Sequence, residues 1–225
     1  MSKKLYAMLL PVLAIAALSV GAGSAQAAFH WYKCEQKAGG KFSNSACTAE
    51  GAPKEFEPVL LTETKVPVTT WGTLTLVGSN GLSVTCNVLD YGYIWNPAGG
   101  GAGKDEITAF FNFECVANPA TACKEPTITA SGLSWPTELG AGPIDTIGTV
   151  AKPIEVTLKC GTETFLFKGE LKPKVVNPTV SETMLVEFVA ASGTLSGPGT
   201  LTATVSGKDH VVGSAHGENI FVKNP

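Results

Sequence analysis

The chain contains no arginine; all sixteen of its basic residues are lysines. Arginine supplies the planar fork that grips phosphates and guanine edges at two points at once. Its absence, in a chain with nineteen acidic residues, argues against nucleic acid and against anionic membrane surfaces as partners. There is no C-x-x-C pair and no Cys/His cluster, which removes the usual zinc arrangements. There is no D-x-D-x-D calcium loop, no H-E-x-x-H and no G-x-S-x-G elbow. No metal, cofactor or catalytic residue is therefore expected. Helical periodicity is scarce, and beyond Val20 no apolar run approaches membrane-spanning length.

What is present begins at the N-terminus. Lys3 and Lys4 precede an apolar run from Leu5 to Val20, and Ala25-Gln26-Ala27 forms a small-residue cleavage site. This is the layout of a secretory signal peptide over residues 1–27. The remaining 198 residues carry fourteen lysines against nineteen acids, a net charge of −5. Cys34 lies seven residues past the cleavage site, so a lipid-anchored cysteine is not expected. The location read from the chain is secreted, either extracellular or associated with the cell envelope. Six cysteines in such a protein predict three disulfides. The preferred pairing is Cys34–Cys47, Cys115–Cys123 and Cys86–Cys160. The alternative joins Cys86 to Cys115 and Cys123 to Cys160.

From residue 71 the pattern has period two. Leu82, Val84 and Cys86 alternate with Ser83 and Thr85, and Ile154, Val156, Leu158 and Cys160 alternate with Glu155, Thr157 and Lys159. Turn signals such as Ser79-Asn80-Gly81 and Gly197-Pro198-Gly199 separate the runs. The pattern predicts an all-β domain over residues 59–225, an antiparallel β-sandwich or, alternatively, a β-barrel. Residues 28–58 are expected to form a small disulfide-stapled segment.

Candidate chemistry is sparse. Ala98 to Asp105 is one residue away from a phosphate-binding loop, but it opens a strand pattern and not a helix, so it reads as a hairpin tip. Tyr91, Tyr93 and Trp95 share one face of a strand. Core packing is the first reading of this stripe, and it is also the one candidate ligand surface, since rings on an open sheet stack sugars. Trp71 and Trp135 read as structural. Asp90, Asp105 and Glu106 read as solvated surface acids, and Asp209, His210, His216 and Glu218 as a surface loop.

Trp31-Tyr32-Lys33-Cys34, Gly40-Lys41-Phe42-Ser43-Asn44, Cys47 and Lys54-Glu55-Phe56-Glu57 resemble a recurring N-terminal signature of exported, largely uncharacterised β-rich proteins of actinobacteria. Ile94-Trp95-Asn96-Pro97, Trp135-Pro136-Thr137-Glu138-Leu139 and Lys223-Asn224-Pro225 extend the resemblance over most of the chain. That group has no activity to transfer. The expected function is a non-enzymatic binding or structural module whose partner is unidentified, with a polysaccharide or cell-envelope component as the candidate. The alternative is a secreted polysaccharide-acting hydrolase.

Overall fold

The computed structural model describes residues 28–62, 64–214 and 217–224. Residues 1–27, where the sequence leads one to expect a signal peptide, and His216 lie outside them. The chain forms β1 (His30–Gln36), β2 (Phe56–Leu60), β3 (Val66–Gly78), β4 (Ser83–Trp95) and β5 (Lys104–Asn118). There follow β6 (Thr127–Ser131), β7 (Trp135–Leu139), β8 (Asp145–Ile147), β9 (Ile154–Cys160) and β10 (Glu163–Gly169). The last are β11 (Lys174–Val176), β12 (Met184–Phe188), β13 (Thr194–Ser196), β14 (Thr202–Gly213) and β15 (Ile220–Lys223).

The protein is all-β and antiparallel, as the alternation predicts. β4 shows why. Val84, Cys86, Val88, Asp90, Gly92 and Ile94 are all buried, while the residues between them face outward. The main sheet runs β6-β9-β10-β13-β14-β3-β4-β5-β7-β8 and curls into a half-barrel, the second of the two expected architectures. At its lower end, Ile144, just before β8, bridges Lys174 of β11, and Ile147 of β8 bridges Leu171. β11 pairs with β12, and β12 pairs with β14, so that the hydrogen-bonded path returns on itself.

Two apolar clusters fill the curl. The upper one includes Leu76, Val84, Trp135, Phe167, Leu195 and Val205. The lower one includes Val68, Ile94, Leu139, Val175, Met184 and Val211. The long strands β3, β4 and β14 contribute to both. A small sheet, β15-β1-β2, closes the lower end. Its Trp31, Ile220 and Val222 are buried in the lower cluster. The Asn96 side chain locks it in place: it accepts from the Trp31 N–H at 2.9 Å and donates to the Trp31 and Leu61 carbonyls at 2.9 and 2.8 Å. The segment 28–58 thus pairs with the C-terminal strand.

Cys34–Cys47 is bonded as expected. The preferred pairing of the other four cysteines is corrected to Cys86–Cys115 and Cys123–Cys160. Strand adjacency decides this. β4 and β5 are neighbours, and a register shift between Thr85 and Asn87 brings Cys86 beside Cys115, with 4.1 Å between Cα atoms. β6 pairs with β9, which carries Cys123, just before β6, to Cys160 at the end of β9.

Candidate functional site

The outer surface of the wall β14-β3-β4-β5 carries an aromatic band. His210, Trp71, Leu89 and Phe111 lie opposite one another on these four strands, forming a row across the sheet. Trp71 and His210 stack with centroids 5.5 Å apart, and Tyr91 meets Phe111 edge-on at 6.3 Å. Phe113 extends the band along β5. The rings are accessible: Tyr91 is 42% exposed, Phe111 53% and Phe113 48%. This corrects the core-packing reading of Tyr91, Tyr93 and Trp95, because all three occupy the outward phase of β4. Trp71, read as structural, is likewise exposed. Tyr93 and Trp95 are partly covered, since the Lys65 ammonium sits 5.7 and 4.8 Å from their ring centroids and pairs with Glu106. The most open part of the surface is therefore Tyr91, Phe111 and Phe113, with Trp71 and Tyr93 at its margins. A polar ladder flanks it: Thr73 donates to Asn87 Oδ1 at 3.1 Å, and Asn87 Nδ2 donates to Glu114 at 2.7 Å.

The other face of the same wall is unlike it. The chain has only four aspartates, and all four are buried inside the curl: Asp90, Asp105, Asp145 and Asp209. None of the described glutamates is buried. Asp90 and Asp105 are thus interior and not solvated acids, and Asp209 lies within β14 and not on a surface loop. The four form a belt between the two apolar clusters. Gly72, opposite Asp209 in the ladder, leaves room for it; a Cβ there would stand 2.4 Å from Asp209 Oδ1.

The belt borders a cavity of about 60 Å³, also lined by Thr70, Trp31 and Met184. An apolar cavity of about 80 Å³ above it shares Asp90 and Asp209. Among the described residues no lysine or histidine lines either one. Asp105 and Asp145 hydrogen-bond to each other. Asp105 Oδ2, Asp145 Oδ1 and Asp209 Oδ1 are buried without partners. Burial pushes Asp90 up to about 6, with Thr70 working the other way. Burial, and then the charge of Asp90, pushes Asp209 up to about 8. Burial raises Asp145 to about 7 against the pull of Thr137, Asp105 and Thr146. Burial and the neighbouring Asp145 hold Asp105 well above the ordinary range. No group of three or more His, Cys, Asp or Glu side chains among the described residues is placed to hold a metal ion.

On the outside, an open cleft of about 380 Å³ beside Trp95 is lined by Glu106, Glu138 and Glu170 and reaches Asp105. Each of the three glutamates is ion-paired, with Lys65, Lys104 and Lys172 respectively.

Comparison with known proteins adds no relative: no family model matches the chain, and no curated protein and no solved structure is significantly similar to it.

Proposed function

We propose that this is an exported binding module that takes an extended polysaccharide on the outer aromatic band. The observation that carries this reading is the exposure of Trp71, Tyr91, Phe111 and Phe113 on one unpartnered face, flanked by the polar Thr73–Asn87–Glu114 ladder. Rings offer stacking area, and the amide, hydroxyl and carboxylate offer hydrogen bonds to sugar hydroxyls. Trp71 and Phe111 stand two strands apart, about 10 Å by ordinary sheet spacing, which suits contact with alternate sugars of an extended chain. Three disulfides fit an oxidising compartment outside the cytoplasm. Among the described residues no helix is long and apolar enough to cross a membrane.

Binding is favoured over hydrolysis by the state of the outer acids. A glycosidase needs one carboxyl free to deliver a proton beside a second that is unshielded. Glu106, Glu138 and Glu170 each face a lysine.

Co-sedimentation with insoluble cellulose, chitin and peptidoglycan tests the reading. At least one should retain the protein, and Tyr91→Ala with Phe111→Ala should weaken retention by about tenfold or more, because both stacking surfaces are lost. The melting temperature should change little, because both rings are exposed. Retention by none of the three, or equal retention of the double variant, overturns it.

A further inference from the structure

The buried belt poses a problem of charge that the outer band does not solve. Four carboxyls surround a cavity whose lining, among the described residues, contains no cationic side chain; Asp105 and Asp145 have chiefly each other, and Asp209 Oδ1 has no partner. Each aspartate is at least nine-tenths buried. A buried carboxylate without a counter-charge is strongly unfavourable. The belt therefore holds either protons or a cation from outside.

The shape of the site selects among cations. No three of the acids converge as ligands for a metal ion. They fall into two pairs, Asp105 with Asp145 and Asp90 with Asp209, which are coupled by hydrogen bonding in the first and by charge in the second. A cation that spreads its contacts fits this better than a point charge. The lower cavity also adjoins the apolar one, and the two share Asp90, Ile107, Ile147, Phe188 and Asp209 in their walls. Together they approach the roughly 150 Å³ known to hold a benzene-sized molecule. Trp31 lines the lower part beside the acids, and Phe110 and Trp135 line the apolar upper part. On the outside, the cleft beside Trp95 shares Asp105 and Glu106 with the lower cavity, so it reaches the belt from the solvent side.

We propose that this chamber binds a small organic ammonium ion, its charged head among Asp90, Asp105, Asp145 and Asp209 and its short apolar part against Ile107, Ile147 and Phe188. The site is independent of the outer band. Protons compete with the ligand, since every charged group among the described residues facing the belt is an acid: Asp90 on β4, Asp105 and Glu106 on β5, Asp145 on β8 and Asp209 on β14. β3 and β7 add Thr70 and Thr137, and β12 and β1 add Met184, Val186, Phe188 and Trp31.

Calorimetric titration of the disulfide-bonded protein with n-butylammonium chloride tests this, with 1-butanol and sodium chloride as matched probes. An alkylammonium keeps its proton well above neutrality, as lysine does. At about pH 8.5, butylammonium should bind saturably at one site, about tenfold or more tighter than 1-butanol, with no saturable heat from sodium. At about pH 5 its affinity should drop by about tenfold or more as the acids take up protons. Asp209→Asn and Asp145→Asn should each weaken binding similarly while keeping the circular dichroism spectrum. Absence of saturable binding at the higher pH overturns the proposal, as does equal binding of 1-butanol or equal affinity at the two pH values. These wild-type comparisons decide the matter even if a variant fails to fold.

Discussion

A carboxyl buried without a cation keeps its proton where one in the unfolded chain would lose it. Unfolded, an aspartate titrates near 3.8; folded, Asp90, Asp145 and Asp209 do so at about 6, 7 and 8. Between those limits the folded state binds more protons than the unfolded one, so stability falls as pH rises. Each carboxyl that is still protonated in the folded state lowers the folding constant about tenfold per pH unit, until its own folded value is passed. The surface pair Glu155–Lys168 acts in the opposite sense, but it is solvent-screened. In sodium buffer free of organic ammonium ions the urea midpoint should be highest near pH 4 and should decline to about pH 8. Asp209→Asn, which cannot ionise, should flatten the curve and exceed the wild type at the alkaline end. A midpoint that rises from acid to neutral pH would contradict the belt. The alternation already held the clue: Asp90 has the inward phase of Val88 and Ile94, and Asp209 that of Val205 and Val211. Residue polarity argues the opposite, because aspartates are seldom buried. Only the three-dimensional structure shows that they are buried together.

At the scale of elements, strand existence was legible and strand pairing only partly so. The hairpin centred on residues 96–103 starts its ladder at Trp95↔Lys104. Carried back along both strands with its two register shifts, it leads to Cys86 and Cys115. Register shifts cannot be read from alternation alone, which is why a local Cys115–Cys123 bridge was the preferred expectation. Non-reducing peptide mapping should recover Cys86–Cys115 and Cys123–Cys160 as separate linked pairs; a Cys86–Cys160 link would contradict the topology. The β3–β14 contact offers a second test. A Cβ on Gly72 would meet the Lys208 carbonyl at 2.0 Å, whereas one on Gly140 has its nearest neighbour at 3.6 Å. Gly72→Ala should therefore destabilise by about 1–3 kcal/mol or more through overpacking. Gly140→Ala should stay within about 1 kcal/mol. Equal effects in denaturant unfolding would refute the close approach.

For the molecule as a whole, one wall serves two environments. β14, β3, β4 and β5 turn apolar side chains and the four-acid belt's larger part inward, and an aromatic band outward. All-β class and the six bonded cysteines were expected from composition and spacing; the expected leader lies outside the described residues. The curl was not legible beyond a choice between sandwich and barrel, since it depends on which strands meet at the lower end through β8, β11 and β12. The ligand stripe was half legible. Tyr91 lies in the open band, but Lys65 sits over the less exposed Trp95 and beside Tyr93, and the band runs across strands to Trp71 and Phe111, a direction invisible to a scan along one strand. The most direct measurement is a nuclear magnetic resonance titration with a soluble oligosaccharide of whichever polysaccharide retains the protein. Shifts confined to Trp71, Tyr91, Phe111, Phe113 and the flanking Asn87 are predicted. Shifts centred on the small sheet β15-β1-β2 or on the cleft beside Trp95, with the band unmoved, would contradict the account.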